Sequence, residues 1–331
     1  MSFTSFKDAE QIVDRFITLL HSLGVNPAVG SKIEGELLSP LQLLESTRNL
    51  GGLADRPELL ADAGGMYDFA AKLLAIATQP EFSLFIPHLR LFEAGEQFAT
   101  AIQPKQGDAR DDVNRKLAEL YLGALAIHFA FDVDLDHPVN SKGNNPDVMF
   151  TIRREGHPDS RWALAIKTVS SHAGQTLFEN VQKAAKQIDA TACTADRGMV
   201  VINLKNAIQY TSLDQVTYTS LDEALALLRT QIDTLITAAE KDRPADEWEP
   251  LFAGRVSPLV FYFAHAVVRL RLPGGLEVPT ILKMAKIANP LGRSDEVGEC
   301  IALKLNHWMQ QILRGIPGTP STYDAPGQAP A

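Results

Sequence analysis

The sequence predicts an α/β (α+β mixed) protein: a helical N-terminal region over residues 1–112, an α-β-β-β-α-β core over 113–205, a mixed C-terminal extension over 206–314 packing on that core, and a disordered tail over 315–331. Three observations carry this prediction. Up to about residue 128 the apolar residues recur at spacings of three and four, the period of a helix face. From Phe129 to Val169 they alternate with polar ones, the period of a strand. A second helical stripe over 175–189 is then followed by the short apolar run Gly198-Met-Val-Val-Ile-Asn-Leu204, which suits a buried strand.

The first helix is marked by Phe6, Ile12, Val13, Phe16, Leu19 and Leu20 and is stopped by Gly24 and Pro27. Similar stripes cover 67–78, through Tyr67, Ala70, Leu73, Leu74 and Ile76, and 113–128, through Val113, Leu117, Leu120, Tyr121, Ala124, Leu125 and His128. Strands follow over 129–135, 147–152 and 161–169, and the polar, glycine-bearing stretch 153–160 suits a hairpin loop. The helix over 175–189 lines up Leu177, Val181, Ala184, Ala185 and Ile188. Ser220-Leu-Asp-Glu223 is a capping box, whose serine and glutamate can satisfy free amide donors, and it opens a helix to about Ala239. Residues 258–272 read as a strand and 296–314 as an amphipathic helix; the tail from Gly315 is rich in Pro, Gly, Ser and Thr and reads as irregular.

Composition narrows the function. Hydrophobic residues make up 45% and charged residues 21%, proportions of a soluble globular chain rather than a disordered or collagen-like one. A net charge of −9 argues against coating nucleic acid or membrane by bulk charge, so a phosphate-binding surface has to be local. The most apolar run, 258–268, is far shorter than the ~20 residues that cross a bilayer, and no membrane partner is expected. The N-terminus does not read as a signal peptide, and Cys193 and Cys300 form no CxxC pair, so a reduced, cytoplasmic compartment is expected. No GxxxxGK[ST] loop, GxGxxG turn, HExxH or GxSxG elbow occurs, which removes the usual sequence support for ATP hydrolysis, zinc proteolysis and serine hydrolysis. Asp132, Asp134 and Asp136 imitate the start of a calcium loop, but His137 stands where that loop needs glycine and Gly143 where it needs glutamate, so they read as a solvated strand face.

The informative stretch is Asn144-Asn-Pro-Asp-Val-Met-Phe-Thr-Ile152, the loop, and Trp162-Ala-Leu-Ala-Ile-Lys-Thr168. Alternation puts Ala163, Ala165 and Lys167 on one strand face and Trp162, Leu164 and Ile166 on the other, the core side. With Pro-Asp opening one strand of a hairpin and a lysine ending the next, inside an α-β-β-β-α-β order, residues 113–205 resemble the PD-(D/E)XK nuclease superfamily and its restriction-endonuclease-like core. The resemblance implies that Asp147 is a metal ligand, Lys167 the catalytic lysine and Glu119, on the preceding helix, an auxiliary acid and ligand. It also implies Mg²⁺ (or Mn²⁺) as cofactor. Such a cation, held by oxygen ligands, lowers the pKa of an attacking water and neutralises phosphate charge, while an ammonium positions the water or stabilises added negative charge.

The chain departs from the family at Ala165, two residues before Lys167, where the family has Asp or Glu. An alanine cannot bind metal. Three readings account for it: an acid-to-alanine replacement that inactivates a nuclease, which we favour; a degenerate nuclease that only binds; or migration of the acid to Glu179 on the following helix, which otherwise makes a surface pair with Lys183. Basic residues outnumber acidic ones over 153–205 and again over 255–314, and the expected phosphate contacts are Arg153 and Arg154 in the hairpin loop with Lys183 and Lys186 on the helix. The expectation is a metal-dependent nuclease acting on DNA, in phage defence or restriction, inactive at Ala165. The alternative is a non-catalytic nuclease-like module that binds nucleic acid or a protein partner. The leucines of the N-terminal region offer a homodimer surface.

Overall fold

A computed structural model describes residues 4–48, 56–94, 112–140, 145–241 and 243–311. The chain begins with α1 (Phe6–Ser22), α2 (Lys32–Arg48), α3 (Pro57–Ile76), the single-turn α4 (Ile86–Leu89) and α5 (Asp112–Ala126). Ser5 caps α1, its Oγ accepting the Asp8 N–H at 3.0 Å, and Gly24 follows the helix at φ 72°, a conformation that favours glycine. The helix α2 was not anticipated, because Gly35 and Pro40 argue against one; Pro40 nevertheless lies inside it. The helix α3 starts well before the predicted stripe at 67. Gly64 and Gly65 look like a break, yet Gly64 is where the helix lies against the sheet: a Cβ there would stand 3.1 Å from Val267 Cγ2 and 3.3 Å from Ile281 Cγ1.

From α5 the order is β1 (Phe131–Leu135), β2 (Val148–Ile152), β3 (Ser160–Thr168), α6 (Gly174–Asp189) and β4 (Arg197–Asn203), the predicted α-β-β-β-α-β succession. Then come α7 (Thr211–Asp214), β5 (Thr217–Tyr218), α8 (Leu221–Glu240), α9 (Ala245–Trp248), β6 (Val256–Arg271), β7 (Glu277–Ala288) and α10 (Glu296–Gln310). Ser220 caps α8 as predicted, its Oγ accepting the Glu223 N–H at 3.1 Å. Gly174 lets α6 start tight against α8, where a Cβ would meet the Ala238 carbonyl oxygen at 1.8 Å. The predicted continuation of the last helix to 314 and the tail over 315–331 lie outside the described residues.

The strands form one mixed sheet in the order β1-β2-β3-β4-β6-β5, with β7 pairing β6 off that path. The first three strands are antiparallel, β3, β4 and β6 run parallel, and β6 and β7 make a long antiparallel hairpin turned by Gly274 and Gly275 at φ 94° and 86°. The C-terminal extension therefore does more than pack on the core: β6 hydrogen-bonds directly to β4 and continues the same sheet. Strand β7 was missed because Lys283 and Lys286 interrupt its apolar pattern.

Both faces of the central strands are buried. Leu164, Ile166, Met199, Val201, Phe261 and Phe263 pack with residues of α1, α3, α5 and α10 in one continuous core, so the N-terminal helices and the sheet share it. Ala165, Val200, Ile202, Val260 and Tyr262 pack under α6 and α8 on the other face. The predicted division of β3 into two faces is observed, and both faces are covered by helices. Among the described residues no helix is long and apolar enough to cross a membrane.

Candidate active site

The strands β2 and β3 part where Asp147 enters. Their last Cα pair is Val148 opposite Leu164, so Asp147 stands across from Ala165. Pro146, without an N–H, precedes it. The Asp147 N–H donates to Leu164 O at 3.0 Å, and its carbonyl accepts the Asp136 N–H at 3.0 Å. Its side chain takes the place of a further ladder carbonyl: Oδ2 accepts the Ile166 N–H at 2.6 Å. That fixes the carboxyl at the split. Helix α5 brings Glu119 beside it, and both are nearly sealed from water, at 4% and 5% exposure. Lys167 holds its Nζ 4.0 Å from Asp147 Oδ2 and donates to Ile166 O at 3.1 Å and to Gln187 Oε1. Gln187, on α6, donates in turn to Asn145 O at 3.2 Å, tying the lysine to the turn that carries Asp147.

Burial governs the electrostatics. Loss of water pushes the Asp147 carboxyl up to about 7, and the Glu119 charge adds to the push; Lys167 and the Ile166 N–H oppose it without cancelling it. Glu119 is raised for the same first reason, although Lys116 Nζ lies 2.9 Å from its carboxylate on the same helix. Two neighbouring carboxyls in such surroundings retain a proton near neutral pH. The Lys167 ammonium is lowered by burial, with Asp147 and Glu119 opposing. His88 of α4 is 1% exposed and puts Nε2 3.5 Å from Glu119 Oε2. Burial holds its pKa down at about 3, so the ring is neutral and the contact is not an ion pair. Neither ring nitrogen hydrogen-bonds to any described residue, and Asp136 Oδ2 is likewise buried without a hydrogen bond among them.

The structure thus brings Asp147, Lys167, Glu119 and the Ala165 position together. It does not bring Glu179. That residue is exposed near the start of α6, about 12 Å from Gln187 at ~1.5 Å per helical residue, and it accepts from Gln175 Nε2 at 3.0 Å rather than pairing with Lys183. Arg153 and Arg154 are also remote, at the far end of β2, about 20 Å from Asp147 at ~3.3 Å per residue. There Arg153 pairs with Asp132 at 3.5 Å and Asp159 at 3.3 Å and covers the Phe131 ring. Lys183 and Lys186 are exposed on the stretch of α6 that carries Gln187.

Sequence reasoning missed Lys116, Gln187 and His88. Lys116 had a signal, its i,i+3 spacing to Glu119. Gln187 flanks the apolar stripe of α6 and had only that position to mark it. His88 is far from the core in sequence and had none. Among the described residues no three His, Cys, Asp or Glu side chains stand as a ready-made metal cage. The donor types still fit a divalent cation: adjoining carboxyls whose repulsion its charge would relieve, and an imidazole without a hydrogen bond. No family model, no curated protein and no solved structure matches the chain. Its function therefore rests on the geometry of this cluster.

Proposed function

We propose that the protein is a metal-dependent nuclease of the PD-(D/E)XK type, acting on DNA with Mg²⁺ or Mn²⁺, and that Ala165 leaves this chain inactive. The observation that carries the reading is the meeting of Asp147, Glu119 and Lys167 at the split between β2 and β3, opposite Ala165. Asp147 and Glu119 are the residues that would hold the cation, which when bound lowers the pKa of an attacking water and offsets phosphate charge. Lys167, oriented by Gln187, is placed to hold that water or the developing negative charge. A carboxylate at position 165 would stand across from Asp147 and complete the donor set; a methyl supplies neither ligand nor charge. The α-β-β-β-α-β order from α5 to β4 supports a restriction-endonuclease-like core. By analogy alone, such an activity belongs to DNA restriction or phage defence.

The test is Ala165→Glu, assayed for cleavage of supercoiled plasmid with Mg²⁺ or Mn²⁺. Cleavage that disappears again when Asp147→Asn is added supports the proposal. A folded Ala165→Glu protein inert toward plasmid, single-stranded DNA and RNA overturns it.

One observation favours the second reading, a non-catalytic module that binds nucleic acid or a protein. Ala165 is 0% exposed and sits among apolar side chains beneath α6, where an alanine also serves packing. On that reading Ala165→Glu destabilises the protein without conferring cleavage, while binding by the original chain persists.

A further inference from the structure

With Ala165 in place the core offers two carboxyls, and the next donor comes from the N-terminal helices. We infer that His88 is a ligand of the divalent cation, so that the helical region and the core build the site together and the site takes a nitrogen-accepting transition-metal ion such as Co²⁺ in preference to Mg²⁺. The inference rests on the reading of Asp147 and Glu119 as cation ligands.

His88 is buried at 1% exposure with both ring nitrogens lacking a hydrogen bond among the described residues. An unsatisfied buried polar group costs roughly 1–3 kcal/mol, a cost that a bound cation would recover, and His88 leaves both of its ring nitrogens in that state. Its neighbours Phe85 and Leu89 are fully buried and anchor the short α4 in the core, so the ring is held in place. The ring is aimed at the acids. Nε2 lies 3.5 Å from Glu119 Oε2, too far for a hydrogen bond. It is the spacing of two donors on one ion: ligands each about 2.1 Å from a cation lie about 3.0 Å apart at a right angle and about 3.4 Å apart at a tetrahedral one. Asp147 and Asp136 also act on the ring through their charges, and Lys116 and His137 complete its charged surroundings. The neutral imidazole is the form that binds metal. A nitrogen donor suits first-row transition ions, whereas Mg²⁺ takes oxygen ligands.

The full chain is titrated calorimetrically with Co²⁺ and with Mg²⁺, and its eight histidines are followed by ¹⁵N-imidazole NMR during the Co²⁺ titration. The expected result is tighter binding of Co²⁺ than Mg²⁺ and one strongly shifted histidine ring. His88→Gln lowers Co²⁺ affinity by about tenfold or more and removes that shift. If Asp147→Asn and Glu119→Gln abolish Co²⁺ binding while His88→Gln does not, the His88 inference fails and the acid site stands. If Co²⁺ binding ignores all three substitutions, the site reading fails as well. Should His88→Gln not fold, the unaltered chain decides: Co²⁺ binding without a shifted ring, or no Co²⁺ binding at all, overturns the inference, and the Ala165→Glu cleavage assay still judges the nuclease reading separately.

Discussion

Helix α5 borders two buried charge clusters, each holding carboxyl, ammonium and imidazole groups, that meet it two residues apart and differ in their electrostatics. Through Tyr121 it reaches Asp68 and Lys72 of α3, Lys283 of β7 and His265 of β6. Through Glu119 it reaches Asp147, Lys167, Lys116 and His88. In the first cluster one carboxylate faces two ammoniums. Asp68 accepts from Lys283 and, at 2.9 Å, from the Tyr121 hydroxyl. Lys72 donates to Trp308 O at 2.6 Å and also to Gln311 O, and Lys283 to Met309 O at 2.8 Å, so the two ammoniums cap the last turn of α10. Burial alone would raise Asp68, but Lys283 and Lys72 more than offset it and hold the carboxyl below its ordinary value. In the second cluster two acids face each other and both are raised; a buried imidazole nitrogen without a hydrogen bond among the described residues is common to both, at His265 in the first and His88 in the second. Burying charge is therefore not what marks a site. Two carboxyls left facing each other, both raised, are what separate the second cluster from the first, whose single carboxyl is held down.

The largest expected effect breaks the contrast from the side of the first cluster. Asp68→Asn strands two buried ammoniums and should cost about 3–5 kcal/mol of unfolding free energy in a denaturant titration. Asp147→Asn, which keeps an acceptor for the Ile166 N–H, should not lower stability at neutral pH, because it removes a carboxyl whose ionised form burial disfavours. Equal losses in the two variants would dissolve the distinction.

A smaller effect sharpens it, since the clusters carry opposite pH slopes. Asp147 titrates at about 7 in the folded chain against an ordinary 3.8, so the folded state holds the extra proton between those values. Its contribution to stability falls as pH rises from about 4 to about 7. Lys72 is lowered to about 7 from 10.5, so the unfolded chain holds the extra proton in that interval, and stability recovers as pH rises through it. The stability difference between the protein and Asp147→Asn should therefore decline across the lower window, and that between the protein and Lys72→Met should rise across the upper one. Flat differences in both windows would show that neither group is as buried in solution as its surroundings indicate.

The smallest effect concerns the approach to the site. Lys183→Glu with Lys186→Glu should weaken duplex DNA binding and shallow its salt dependence by about two units of the log–log slope, while Arg153→Glu with Arg154→Glu should leave both nearly unchanged. Larger losses from the arginine pair would place the phosphate surface at the hairpin loop, away from the acids.

Much of the secondary structure was legible because it is encoded locally. The stripe from Leu177 to Ile188, the cap at Ser220 and the alternation from Trp162 to Lys167 each lie within a few turns or one strand. The exceptions are equally physical. Pro40 hid α2, the Gly64-Gly65 pair hid the start of α3, and the lysines of β7 hid a strand whose partner β6 supplies the pairing.

The sequence alone determined that a strand follows Pro146-Asp147, its first residue being Val148 rather than the expected Asp147, that Lys167 shares a face with position 165, and that this position lacks an acid, because strand period and residue identity need no tertiary context. Only the tertiary structure decided that Glu119 joins them and Glu179 does not, that β6 extends the sheet beside β4, and that Gln187 and His88 reach the site. It also decided which acids are raised and which is held down. Those outcomes depend on how much water is excluded and which charges face each other, and both are set by residues that folding brings together from distant parts of the chain.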